Sequence, residues 1–128
     1  MIEATKNQLT NIGNPYQTFT KRVLVVCSAG LLRSPTLANV LHKELGYNTR
    51  ACGSALNFAL IPISEALVHW CDELVFVDED CKDYLDQEIK EEIALADCRE
   101  ITLNLPDQYD WMDDELQMIA LEQYMRSQ

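Results

Sequence analysis

The amino-acid sequence predicts a single three-layer α/β domain in which a four-stranded parallel sheet carries helices on both faces. Two features of the pattern and one of the length predict it. Strand-length apolar runs alternate with segments of helical periodicity, an order that implies right-handed crossovers between parallel strands. The runs RVLVVC at 22–27 and ELVFVD at 73–78 are continuous rather than alternately polar, as strands covered on both faces require. With 128 residues, 48% of them hydrophobic, the chain fills one core and not two.

Each element follows from its residues. Residues 1–20 are polar and read as a loosely attached N-terminal arm, with the α/β domain spanning 21–128. After the 22–27 strand, PTLANVLHKEL sets Leu37, Val40, Leu41 and Leu45 at helical spacing, with Pro35 near its start and Gly46 at its end. TRACGS at 49–54 reads as a weak strand. PISEALVHWCDE at 62–73 reads as a helix turning Ile63, Ala66, Leu67, Trp70 and Cys71 inward. The 73–78 strand precedes a long acidic helix over 79–95 striped by Cys81, Leu85, Ile89 and Ile93. REITLNL at 99–105 is the fourth strand. The loop PDQYDWMD leads into a last helix carrying Leu116, Ile119, Ala120 and Tyr124.

Composition narrows the function classes. The net charge is −11, yet residues 21–50 hold five bases against one acid, while 72–122 hold eighteen acids against three bases. This neutral-to-basic front and acidic back argue against binding nucleic acid through a basic face, and no nucleic-acid partner is expected. The acids read mainly as solvated helix faces, with an acidic docking surface as the alternative. No apolar run approaches the roughly 18 residues of a membrane span, and the N-terminus lacks the charged-then-apolar order of a signal peptide. A cytoplasmic protein without membrane contact, a monomer or weak dimer, is therefore expected. The five cysteines show no metal-type pairing and sit in apolar segments, which points to free buried thiols. His42 and His69 lie on polar sides of helices and read as structural, and no metal ligands are expected.

The chemistry is concentrated in KRVLVVCSAGLLRSPTLANVL. In parallel sheets the ligand site lies at the carboxyl ends of the strands, and Cys27 ends the first. Ser28, Ala29, Gly30, Leu31 and Leu32 then form a tight loop into a helix N-terminus. Main-chain amides of such a loop, with the partial positive charge of the helix end, suit a phosphate-sized anion. Gly30 permits the wrap, and Arg33 adds a planar fork for two phosphate oxygens. The same field favours the nucleophilic thiolate of a cysteine. A cysteine alone is more often a small buried hydrophobe and an arginine alone a surface charge. It is the order strand, Cys27, five-residue loop, Arg33, Ser34, Pro35 that builds a covalent phosphate site after the first strand.

Cys27, the residues SAGLL, Arg33, Ser34 and Pro35 resemble the signature of the low-molecular-weight protein tyrosine phosphatases, whose fold includes the thiol arsenate reductases. The resemblance runs from about residue 21 to the C-terminus and returns clearly in LNLPDQYDWMDDEL, close to small bacterial and phage tyrosine phosphatases. It implies hydrolysis of a phosphorylated protein or a small aryl phosphate through a cysteinyl phosphate, with no cofactor and no metal. It further implies that Asp107, at the place of the family's Asp-Pro-Tyr motif, is the general acid. Asp110 is the rival and reads better as a helix cap. Ser34 would donate to the sulfur, with a plain N-cap as its alternative role. Tyr109 would line the substrate slot, and Phe58, in the loop after the second strand, would wall the same slot or pack in the core.

The sequence departs from the family at three positions. Gln108 replaces the motif's proline, Gly30 a bracing asparagine, and Leu32 the second cysteine found in many members, which removes that route of protection from oxidation. Other readings remain open. An arsenate reductase would pass its arsenic-bound sulfur to a further thiol such as Cys81. A phosphocysteine carrier of sugar uptake also begins its loop Cys-Ser-Ala-Gly but lacks the closing arginine. A phosphate-binding module without turnover is the third.

Overall fold

The structure is a computed structural model that describes residues 20–29, 33–57 and 59–128. Residues 1–19, which hold nearly all of the expected arm, lie outside the described residues, as do Gly30, Leu31, Leu32 and Phe58.

The elements run β1 (Arg22–Cys27), α1 (Arg33–Leu45), β2 (Asn48–Gly53), α2 (Glu65–Trp70), β3 (Glu73–Phe76), a 3-10 turn (Asp80–Tyr84), α3 (Gln87–Leu95), β4 (Arg99–Thr102) and α4 (Asp114–Arg126). The four strands form one all-parallel sheet in the order β2-β1-β3-β4. The α/β class expected from the sequence is the observed one. β1 lies inside the sheet, and Val23, Leu24, Val25 and Val26 are wholly buried. That burial is why its run is unbroken by polar residues. β4 is an edge, and of its four residues Ile101 alone is buried. Its ladder continues past the strand, with Leu103 N–H donating to Phe76 O at 2.8 Å and Leu105 N–H to Val77 O at 2.9 Å.

α1 packs on β1 and β2 and against α4, whereas α2 packs on β1 and against α3. The chain leaves β1 for β2 on one side and returns to β3 on the other, so the strand order reverses between β1 and β3. In parallel sheets a reversal of this kind is where a crevice forms, beyond the carboxyl ends of the two strands.

Two expectations about helices need correction. The helix expected over 79–95 is two pieces, because Leu85 is extended (φ −68°, ψ 134°) and Asp86 caps α3 by accepting from Ile89 N–H at 2.9 Å. An aspartate offering its own acceptor to an amide three residues on starts a helix better than it continues one. The stripe survives the break, with Cys81 and Ile89 buried and Leu85 and Ile93 packed against the core. α2 is also shorter than 62–73. Ser64 caps it by accepting from Leu67 N–H at 3.3 Å, and Cys71 is already extended (ψ 152°) on the way to β3. This phase turns Val68 fully inward and leaves Ala66 exposed, contrary to the expected stripe.

Candidate active site

The site is built at the carboxyl end of β1. Cys27 closes that strand, 3% exposed, and its Sγ lies 3.1 Å from Ser34 Oγ in the first turn of α1. Ser34 is wholly buried, and its hydroxyl is also within 3.4 Å of Cys52 O. α1 begins one residue before Ser34, so its side chain does not act as the helix cap and is committed to the sulfur and to Cys52. Pro35 stands in the first turn, where its missing N–H costs no helical bond.

The start of the following loop is tied to the segment after β2. Ala55 N–H donates to Ser28 O at 2.9 Å, Leu60 N–H to Ala29 O at 3.4 Å, and Ser54 N–H to Cys27 O at 2.8 Å. Gly53 makes this approach possible. A Cβ there would stand 2.5 Å from Ala59 Cβ and 2.7 Å from both Ser28 O and the Ala29 carbonyl carbon. Those contacts involve backbone atoms that cannot step aside.

Arg33 enters from the first residue of α1 and is 6% exposed. Its Nη1 donates to Asp78 Oδ2 and, at 3.1 Å, to Leu105 O. Asp78 lies just beyond β3 and Leu105 beyond β4, so the guanidinium is held across the crevice by the ends of two other strands. Asp78 also accepts Cys81 N–H at 2.9 Å. Burial pushes its carboxyl up, but the Arg33 hydrogen bond, the Cys81 amide and the Arg33 charge outweigh this and hold it below the usual carboxylate range. Burial works against the charge of Arg33 as well, and the hydrogen bond and charge of Asp78 reverse that, with smaller help from Asp107 and Cys27. Asp78 was not among the expected site residues. It ends the predicted third strand, so a carboxylate at a strand's carboxyl end was a readable signal.

Asp107 Oδ1 lies 3.5 Å from Arg33 Nε, with its side chain 67% exposed to solvent. The structure thus brings Cys27, Ser34, Arg33 and Asp107 to one place. Asp110 does not cap α4, as the sequence suggested. Asp113 does so, accepting from Glu115 N–H at 2.9 Å and Leu116 N–H at 3.2 Å, and Asp110 offers its backbone oxygen to Asp113 N–H. Tyr109 is partly buried and packs against the core.

The loop is anchored to α1 through Met112. Met112 has φ +58°, its N–H donates to Thr36 Oγ1 at 3.1 Å, and its carbonyl accepts from Gln117 Nε2 at 2.7 Å. A non-glycine residue in the left-handed region persists where its surroundings hold it. Here the clamp holds the C-terminal end of the loop that carries Asp107 against α1.

None of the five cysteines is in a disulfide, and four are buried. Burial pushes the Cys71 and Cys81 thiols up to about 12 and Cys52 well above its ordinary value. Cys81 donates to Asp78 O at 3.0 Å. A thiol, a hydroxyl, a guanidinium and a carboxylate converging on one crevice can attack an electrophile, hold an anion and deliver a proton. No protein-family model, curated protein or solved structure matches this chain.

Proposed function

We propose that the protein hydrolyses aryl phosphate monoesters, phosphotyrosine among them, through a cysteinyl phosphate, in the manner of the family that its 27–35 stretch resembles. The observation that carries this reading is the convergence of Cys27, Arg33 and Asp107, from three separate segments, on the crevice beyond β1 and β3. Arg33 binds two equatorial oxygens of the phosphoryl group, held in place by Asp78 and Leu105 O. The Cys27 thiolate attacks phosphorus, the P–O bond to the phenol breaks, and Asp107 gives its proton to the leaving oxygen. Asp107 then takes a proton from water, the water oxygen bonds to phosphorus, and the thiolate departs, hydrogen-bonded by Ser34. Asp107 neighbours Arg33 Nε in the free protein, and a substrate dianion taking that nitrogen displaces the carboxylate toward the leaving group.

The arsenate reductase reading needs a second thiol that attacks the first. Burial pushes the Cys81 thiol up to about 12, which makes it a poor candidate. The carrier reading leaves Arg33 and Asp107 without a task.

Hydrolysis of p-nitrophenyl phosphate tests the proposal. Cys27→Ser abolishes turnover, Arg33→Ala lowers kcat/KM by about 10²-fold or more, and Asp107→Asn lowers kcat by roughly 10²–10⁴-fold and alters the pH profile. Wild-type protein without activity on any aryl phosphate, or Cys27→Ser with undiminished activity, refutes the reading. A damaging Asp110→Asn beside a harmless Asp107→Asn reassigns the acid.

A further inference from the structure

We propose that Glu65, His69 and Glu92 form a binding site for a zinc-class divalent cation that ties α2 to α3. The ligand atoms of the three side chains all lie within 4.8 Å of one another, and His69 Nε2 stands 2.6 Å from Glu92 Oε2. Glu65 precedes His69 by four residues, which sets both on one face of α2. Glu92 reaches them from α3, which packs against α2.

Zinc holds nitrogen and oxygen at roughly 2.0–2.2 Å, which spaces tetrahedral ligand atoms roughly 3.3–3.5 Å apart. Reaching that spacing takes a rotamer adjustment of Glu65, which is exposed, and a slight opening of the His69–Glu92 contact. The set is more than a group of acids. An imidazole nitrogen beside two carboxylates favours zinc and late transition ions over magnesium or calcium, and the two negative charges answer the charge of the cation. Three protein ligands leave a fourth position for water.

The site lies away from Cys27. α2 and α3 both run from the carboxyl edge of the sheet back to its amino edge, and His69 and Glu92 stand in their last turns. The sequence by itself reads His69 as structural, because Glu92 joins it only through the packing of two helices. The proposal does not depend on the phosphatase reading.

Titration of the full chain with zinc chloride, followed by calorimetry, tests it. Wild-type protein takes up one equivalent at this site, and Glu65→Gln, His69→Ala and Glu92→Gln each weaken that uptake by about tenfold or more. All four proteins keep the five thiols, so zinc held by cysteine is common to them and the difference between curves reads this site alone. Zinc also raises the melting temperature of wild-type protein by more than that of the triple variant. Superimposable curves for wild type and the triple variant overturn the proposal. Because Glu65 is exposed, Glu65→Gln retains the fold, and an unchanged curve for that variant overturns it equally.

Discussion

A guanidinium that is 6% exposed needs its charge answered from within the protein, and Arg33 finds that answer in Asp78. Under the proposed function, Asp78 is therefore the positioning residue for the anion that Arg33 would bind. Asp78→Asn keeps a side chain of similar shape but removes the charge. It is expected to lower kcat/KM on p-nitrophenyl phosphate about tenfold or more and to cost roughly 1–3 kcal/mol of stability, read from urea unfolding. The pH dependence has a definite sign. The Asp78 carboxyl is held below its unfolded value of about 3.9, so its stabilisation is present above that pH and is lost as pH falls through the depressed value. Wild-type protein loses this increment in acid and Asp78→Asn does not. The sulfurs are legible at the same scale. Cys52, Cys71 and Cys81, each pushed up by burial, are expected to resist iodoacetamide at pH 8 in the folded protein and to react after unfolding, as mass spectrometry would read. Cys27 and Arg33 were readable because they stand at the end of a strand and the start of a helix in a fixed order, whereas Asp107 was readable only through the resemblance of its loop to a family motif. The pairing of Arg33 with Asp78 was not, since forty-five residues separate them.

Among the elements, α1 does most to assemble the site. Its first turn supplies Arg33, Ser34 and Thr36, and its last turn closes on Gly46, whose φ is +71° and whose N–H donates to His42 O at 2.9 Å. Gly46→Ala forces a Cβ into the left-handed region and is expected to cost about 1–2 kcal/mol while leaving turnover intact, since the glycine is remote from Cys27. Thr36→Val does the reverse. It removes the acceptor for Met112 N–H, lets the Asp107 loop drift, and lowers kcat more than it lowers stability, by which about 0.5–1.5 kcal/mol is expected to go. Steady-state kinetics beside thermal melts separate the two. The apolar periodicity of α1 and the continuous run of β1 identified both elements, because burial on a sheet leaves a regular mark on residue order. The break at Leu85–Asp86 left a weaker mark. The stripe of Cys81, Leu85, Ile89 and Ile93 is compatible with one helix, and the Asp86 cap decides for two.

Across the whole molecule the two ends of the sheet do different work. The carboxyl end gathers the candidate site residues, while at the amino end Glu73, 2% exposed, receives Tyr124 Oη at 2.5 Å and Lys21 Nζ at 2.6 Å, with Arg99 at 3.8 Å. This network fastens the last turns of α4 to β3 and to the chain entering β1. Lys21 also stands 5.2 Å from the Tyr47 ring centroid. Glu73→Ala is expected to cost on the order of 3 kcal/mol, measured by denaturant midpoint, with kcat of the folded protein unchanged because the lesion is at the far end of the sheet. Residue order alone determined the α/β class and the local sequence of strand, Cys27, loop, Arg33 and Ser34. Burial and helix entry act on neighbours in the chain and so leave a periodic trace. Only the tertiary structure decided that Asp78 holds Arg33, that Met112 and Thr36 anchor the loop of Asp107, that Asp113 rather than Asp110 caps α4, and that Glu73 ties α4 down. Most of these contacts join segments brought together by parallel strand packing, and the Asp113 cap is a single side-chain contact with the amides of Glu115 and Leu116. Neither repeats along the chain, so neither leaves a period to read.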